Sequence, residues 1–184
     1  MSTKKIHNLI ILDESGSMGT IKRPTIEGFN EVVQTIKGAK DKFPDQEHFI
    51  SLYTFNGEGI KPKLYCVPVA ELEEMTSSMY QPNSMTPLFD AIGTSVSRLK
   101  YDLAEEENVN VLVTILTDGY ENASKEYTGK QIKSLIEELK GRGWTFTYIG
   151  ANHDVEQVAM SISITNTMKF DASVHGTNNM WAKE

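Results

Sequence analysis

A near-continuous apolar run, IHNLIILD (Ile6 to Asp13), lies close to the start of the chain. A strand with one wet face alternates apolar and polar residues, whereas a run like this one reads as covered on both faces. Such strands belong to parallel sheets whose crossovers are usually helices. The rest of the chain supplies the pieces. Ile26, Phe29, Val33 and Ile36 recur at helical spacing just after Pro24. HFISLYTFN (His48 to Asn56) reads as a second strand, and GEG (Gly57 to Gly59) as a turn into KPKLYCVPV. Strand, short glycine-containing loop and strand make a hairpin, so the third strand should run antiparallel. Pro62 and Pro68 suit an edge, where a missing ladder donor is tolerated.

Further along, Thr86 and Pro87 have the form of an N-cap and first helical residue. Leu88, Ile92, Val96, Leu99 and Leu103 then mark one buried helix face. A fourth strand runs from Val109 to Thr117 and ends at Asp118 and Gly119. Thr128 with Gln131 resembles a capping box for a helix through Leu139, stopped by Gly141. WTFTYIG (Trp144 to Gly150) is a fifth strand, Asp154 can cap a short helix, and TMKF (Thr167 to Phe170) closes the series. This alternation predicts one α/β domain over residues 1–184, with a doubly wound, mostly parallel six-strand sheet. The expected strand order is 3-2-1-4-5-6, with strand 3 antiparallel and helices on both faces. The tail GTNNMWAKE offers Thr177 as a cap before Met180 and Trp181, then stops. A helix shorter than ~12 residues is marginal alone, so the natural chain is expected to continue past Glu184.

Composition narrows the function classes. A net charge of −7 argues against a nucleic-acid or anionic-membrane binder, which needs a basic face. Cys66 is the only cysteine, so neither an intrachain disulfide nor a thiolate zinc site can form. It reads as a small packing residue. No secretory signal or membrane-length apolar segment is visible, and a cytoplasmic monomer is the expectation.

The first strand does not end like a core strand. LDESGSMGT (Leu12 to Thr20) sets Asp13, Ser15 and Ser17 at alternate positions. In open α/β sheets, sites form beyond the carboxyl ends of strands where the strand order reverses. With the expected order, Asp13, Asp118 and the start of the helix at Thr86 share that rim. Each piece alone fits turn or cap chemistry. Together they offer only oxygen: two carboxylates and the hydroxyls of Ser15, Ser17 and Thr86. Hard divalent cations suit that set, and it holds no soft or imidazole ligand.

DESGSM (Asp13 to Met18), Thr86 within SMTPLFDAI and TDG (Thr117 to Gly119) resemble the metal-ion-dependent adhesion site of von Willebrand factor A domains. The resemblance covers essentially the whole chain. It implies a Rossmann-like fold and a bound Mg2+, with Mn2+ or Ca2+ as alternatives. It further implies that Ser15, Ser17 and Thr86 ligate directly, and that Asp13 and Asp118 act directly or through water. A partner protein's Asp or Glu fills the remaining position in that family. Details of the chain resemble the stand-alone bacterial cytoplasmic type, including tellurium-resistance-associated members. Glu14, Met18, Tyr120, Glu121 and Asn122 are expected to surround the metal and set specificity.

Two rival functions compete with this reading. A Mg2+-dependent phosphohydrolase would place its nucleophile at Asp13, but Ser15 stands where a DxD pattern has its second aspartate. A GxSxG elbow and a GxxxxGK[ST] cradle are both missing. His153, in GANHD beyond the fifth strand, should approach the same rim but reads as a loop residue. The other rival is a purely structural cation that staples the loops.

Overall fold

The apolar run forms β1 (Lys4–Asp13), and a short 3-10 segment (Gly16–Ile21) leads from it into α1 (Lys22–Lys42). The hairpin follows as β2 (Gln46–Asn56) and β3 (Gly59–Pro68), then α2 (Leu88–Asp102) and β4 (Val109–Thr117). After these come α3 (Gly129–Gly141), β5 (Thr145–Gly150), α4 (Val155–Ser161) and β6 (Asn166–Lys169). The structure is a computed structural model that describes residues 3–150 and 154–169. Its single described sheet has the order β3-β2-β1-β4-β5-β6. Only β3 runs antiparallel, paired with β2, while β1 pairs in parallel with both β2 and β4. This is the expected architecture.

The pleat of β1 divides the interior in two. Leu9 and Ile11 face a core built with α2, α3 and α4, whereas Ile10 and Leu12 face α1 and the segment after β3. All four are buried, each stabilising the fold by roughly 1.5–3 kcal/mol relative to exposure. A slip of one residue would exchange the two sets, so both cores fix the register of β1. That register carries Asp13 to the carboxyl rim beside Phe55 of β2.

The hairpin turn needs Gly59, which adopts φ +146°. Pro62 and Pro68 lie on the edge strand β3, where their missing N–H groups cost least. The β2–β3 register shifts near Cys66, whose φ of +49° bends the edge strand. There the Cys66 N–H donates to Ser51 Oγ at 2.9 Å. Cys66 is a half-buried packing residue, as expected.

Three helix-end expectations meet different outcomes. The Thr128–Gln131 capping box forms, and Asp154 caps α4 by accepting the Gln157 N–H at 3.1 Å. Past α3, the left-handed residue is Gly143 with φ +87°, whereas Gly141 is the last residue of the helix. α2 starts at Leu88 rather than at Pro87, with Pro87 as its N-cap, so Thr86 lies outside the helix. The Thr177 cap and the short helix expected to follow it lie outside the described residues.

Candidate metal centre

Side by side in the sheet, β1 and β4 deliver their last residues to one rim, at the point where the strand order reverses. Thr117 Oγ1 donates to Asp13 Oδ2 at 2.6 Å, and the Ser15 N–H donates to Asp13 Oδ1 at 2.7 Å. The buried Tyr80 hydroxyl fixes the same residue from behind, donating to the Asp13 carbonyl at 2.6 Å. On the loop, Ser15 Oγ and Ser17 Oγ are 3.3 Å apart, and Ser17 Oγ donates to Asp118 Oδ1 at 2.5 Å. Thr86 completes the rim: a Cβ placed on Gly119 would lie 3.6 Å from its Oγ1. The structure therefore brings together all five side chains singled out in the sequence. Asp13, Ser15, Thr86 and Asp118 are each at least nine-tenths buried, while Ser17 is exposed.

Burial disfavours a charged carboxylate and pushes Asp13 up to about 6, with the Asp118 carboxylate adding to the rise. The Thr117 and Ser15 hydrogen bonds oppose it, because they are donated to the carboxylate and favour its charged form. Among the described residues, no Lys, Arg or His pairs with Asp13 or Asp118. Two close, buried carboxylates without a compensating cation are costly. The donor set fits a hard divalent ion, with charge from two carboxylates and neutral oxygen from three hydroxyls. No group of three or more His, Cys, Asp or Glu placed to hold a metal ion occurs among the described residues, so an ion here would need the hydroxyls as well as the two carboxylates.

Thr86 is free to face the rim because other side chains take over its expected role. Glu121 accepts the Phe89 N–H at 2.8 Å, and Ser124 Oγ accepts the Asp90 N–H at 3.0 Å. These are orphan donors of the first turn of α2 that an N-cap would have satisfied. Asn122 holds Thr86 itself, accepting its N–H at 2.8 Å and donating its own backbone N–H to the Thr86 carbonyl at 3.1 Å.

The expected specificity shell is mostly structural. Glu14 is buried and its carboxylate accepts the Gln81 N–H at 2.5 Å. Glu121 also accepts the Ala123 and Ser124 N–H groups, at 2.9 and 2.6 Å. Met18 is fully buried in the core. Asn122 is exposed but spends its side chain on Thr86. Tyr120 alone among the five presents a largely exposed apolar body at the rim.

Several supporting residues escaped the sequence reading. Thr117 stood in plain view inside TDG, and its place opposite the end of β1 was the signal that could have found it. Asp90, on the buried side of α2, accepts the N–H groups of Lys125, Glu126 and Tyr127 at 2.8–3.0 Å and so folds the loop after Asp118. Gly57 lets the Ser84–Met85 loop approach: a Cβ there would lie 2.3 Å from Ser84 Oγ and 3.1 Å from the Met85 N. His153 lies outside the described residues.

A mostly parallel open sheet with a carboxylate-and-hydroxyl rim at its switch point defines an α/β binding domain of the Rossmann-like kind. The von Willebrand factor type A domain pattern matches residues 9–177, and the chain belongs to that family. No curated protein sequence matches it closely enough to report. Solved structures share the fold at low identity. The SpRpn10 VWA domain is 10% identical with a TM-score of 0.69, and the match covers 97% of this chain and 94% of that one. The pilus adhesin SpaC from Lactobacillus rhamnosus GG is 11% identical with a TM-score of 0.69, covering 100% of this chain and 30% of the adhesin. Proximal thread matrix protein 1 from the mussel byssus is 15% identical with a TM-score of 0.66, covering 98% of this chain and 45% of that protein. The chain thus spans less than half the length of the adhesin and the matrix protein. Domains of this family generally mediate protein–protein interaction. No described helix is long and apolar enough to cross a membrane.

Proposed function

We propose that this chain is a divalent-cation-dependent protein-interaction module of the stand-alone bacterial cytoplasmic type. In this reading Asp13, Ser15, Ser17, Thr86 and Asp118 hold Mg2+, and a partner protein supplies an Asp or Glu to the ion. The observation that carries it is the buried Asp13–Asp118 pair, linked through Ser15 and Ser17 and without a cationic side chain among the described residues. The ion would supply the positive charge that the pair lacks. Asp13 and Asp118 would compensate only part of the ion's effective charge, and the hydroxyls would add none, so an incoming carboxylate at the remaining position would gain electrostatic stabilisation. The chain's own residues orient the site: Thr117 and the Ser15 N–H aim Asp13, and Asn122 fixes Thr86.

Affinity capture from the source cell, with Mg2+ or with EDTA, tests the reading when wild type is compared with Asp118→Ala. The expected partner is retained by wild type in Mg2+ and lost with EDTA and with the variant. Changing the partner's contacting carboxylate to its amide should abolish binding in calorimetry. Equal affinity in EDTA would instead support a cation that only staples the loops.

A further inference from the structure

Met85, 55% exposed, and Tyr120, 57% exposed, are two of the large hydrophobic side chains that the described surface leaves open, and both border the candidate metal centre. Met85 immediately precedes Thr86, and Tyr120 follows the Asp118–Gly119 pair. Neither exposure reflects slack backbone. The Gly16 N–H donates to the Ser84 carbonyl at 3.1 Å, and Asn122 accepts the Thr86 N–H at 2.8 Å, so Met85 is pinned on both sides. Tyr120 is held by the Asp154 N–H, which donates to its hydroxyl at 3.3 Å, while the Asn122 N–H ties the next turn to Thr86 at 3.1 Å.

Uncharged residues of the same loops are exposed beside them. Gly16, Ser17, Ser84 and Asn122 are exposed there, while the carboxylates of Glu14 and Glu121 are turned inward onto backbone N–H groups. An acidic partner therefore meets no exposed rim carboxylate from either residue. Apolar side chains carried on pinned backbone bind without the cost of ordering a loop, and Met and Tyr are enriched at interface cores. Covering them also removes water from around the charged contact, which strengthens it.

We propose that Met85 and Tyr120 form an apolar collar, and that the preferred partner presents an Asp or Glu beside a large apolar side chain on a protruding loop. The proposal rests on the cation-dependent reading above. An isolated acidic side chain would leave both collar residues wet, and an uncharged apolar loop would leave the cation without its partner.

A display library of short closed loops, each with one fixed Asp and randomised neighbours, tests this when selected on the full chain in Mg2+ and in EDTA. Selected loops should need Mg2+, should lose binding on Asp→Asn, and should carry Leu, Met, Phe or Trp close to the Asp. They should bind a Met85→Ser, Tyr120→Ser variant about tenfold more weakly, as expected for losing roughly one buried apolar side chain. That variant should keep its Mg2+ affinity, and a Met85→Leu, Tyr120→Phe variant should keep its loop affinity. Mg2+-dependent loops without apolar enrichment, or with equal affinity for the Ser variant, would overturn the collar and leave the cation reading standing. Loops that survive EDTA or Asp→Asn would overturn the cation reading itself. Failure to recover any Mg2+-dependent loop would overturn both.

Discussion

His7 and Asp13 lie toward opposite ends of β1, both at least nine-tenths buried, and burial treats them in opposite ways. At the amino end, the His7 ring stacks on Phe49 with centroids 4.8 Å apart, and its Nε2 has no hydrogen-bond partner. Its Nδ1 lies 3.8 Å from Cys66 Sγ. Burial holds this imidazole below its ordinary range and pushes the Cys66 thiol up, so both groups are kept neutral. At the carboxyl end, burial raises Asp13 instead, yet two donors point at its oxygens and a second carboxylate stands close by. Desolvation is common to both ends. Hydrogen bonds donated to the charged form occur at one end only, and that distinguishes the candidate metal centre from a core histidine.

The largest expected effect is at the rim carboxylates. Asp13→Ala and Asp118→Ala should each remove measurable Mg2+ binding in calorimetry, while circular dichroism shows the fold retained. The next effect is on stability against pH. Without a cation, Asp13 holds its proton more tightly folded than unfolded. Its contribution is therefore complete below about pH 4 and is lost as pH rises through about 6, a change of about 3 kcal/mol. Denaturant titrations in EDTA should show this slope, and saturating Mg2+ or Asp13→Asn should flatten it.

Thr117→Val keeps the side-chain shape but deletes the hydroxyl that aims Asp13. Loss of such an outer-shell partner should weaken Mg2+ binding by about 10–100-fold. His7 gives the opposite pH dependence: its contribution is present above about pH 6.5 and is lost as pH falls through its lowered pKa. His7→Phe should flatten that acid limb and leave Mg2+ affinity unchanged. Tyr80→Phe should cost about 1 kcal/mol of stability in denaturant melts, the worth of one hydrogen bond to the Asp13 carbonyl.

The sheet and the five rim residues were legible because each is marked locally. β1 reads as a covered strand from its apolar run, and Asp13 and Asp118 stand just where strand character stops. The cap of α2 was not legible, because the Glu121 and Ser124 groups that satisfy it come from a loop more than thirty residues away. The roles of Glu14 and Glu121 were misread for the same reason. A charged residue next to a site looks like a specificity determinant until the folded loops offer its carboxylate buried N–H donors. The approach of Ser84 and Met85 depends on Gly57, where the only local signal was a turn.

Crystals grown without divalent ions and soaked in Mn2+ decide whether the rim holds a cation, because anomalous scattering locates the ion without assuming its ligands. The expected result is a peak at the rim of β1 and β4, in contact with Ser15, Ser17 and Thr86 and touching Asp13 and Asp118 directly or through water. The peak should be absent from Asp118→Ala crystals soaked in the same way. A wild-type crystal with no peak there, or with its strongest peak elsewhere on the surface, would contradict it.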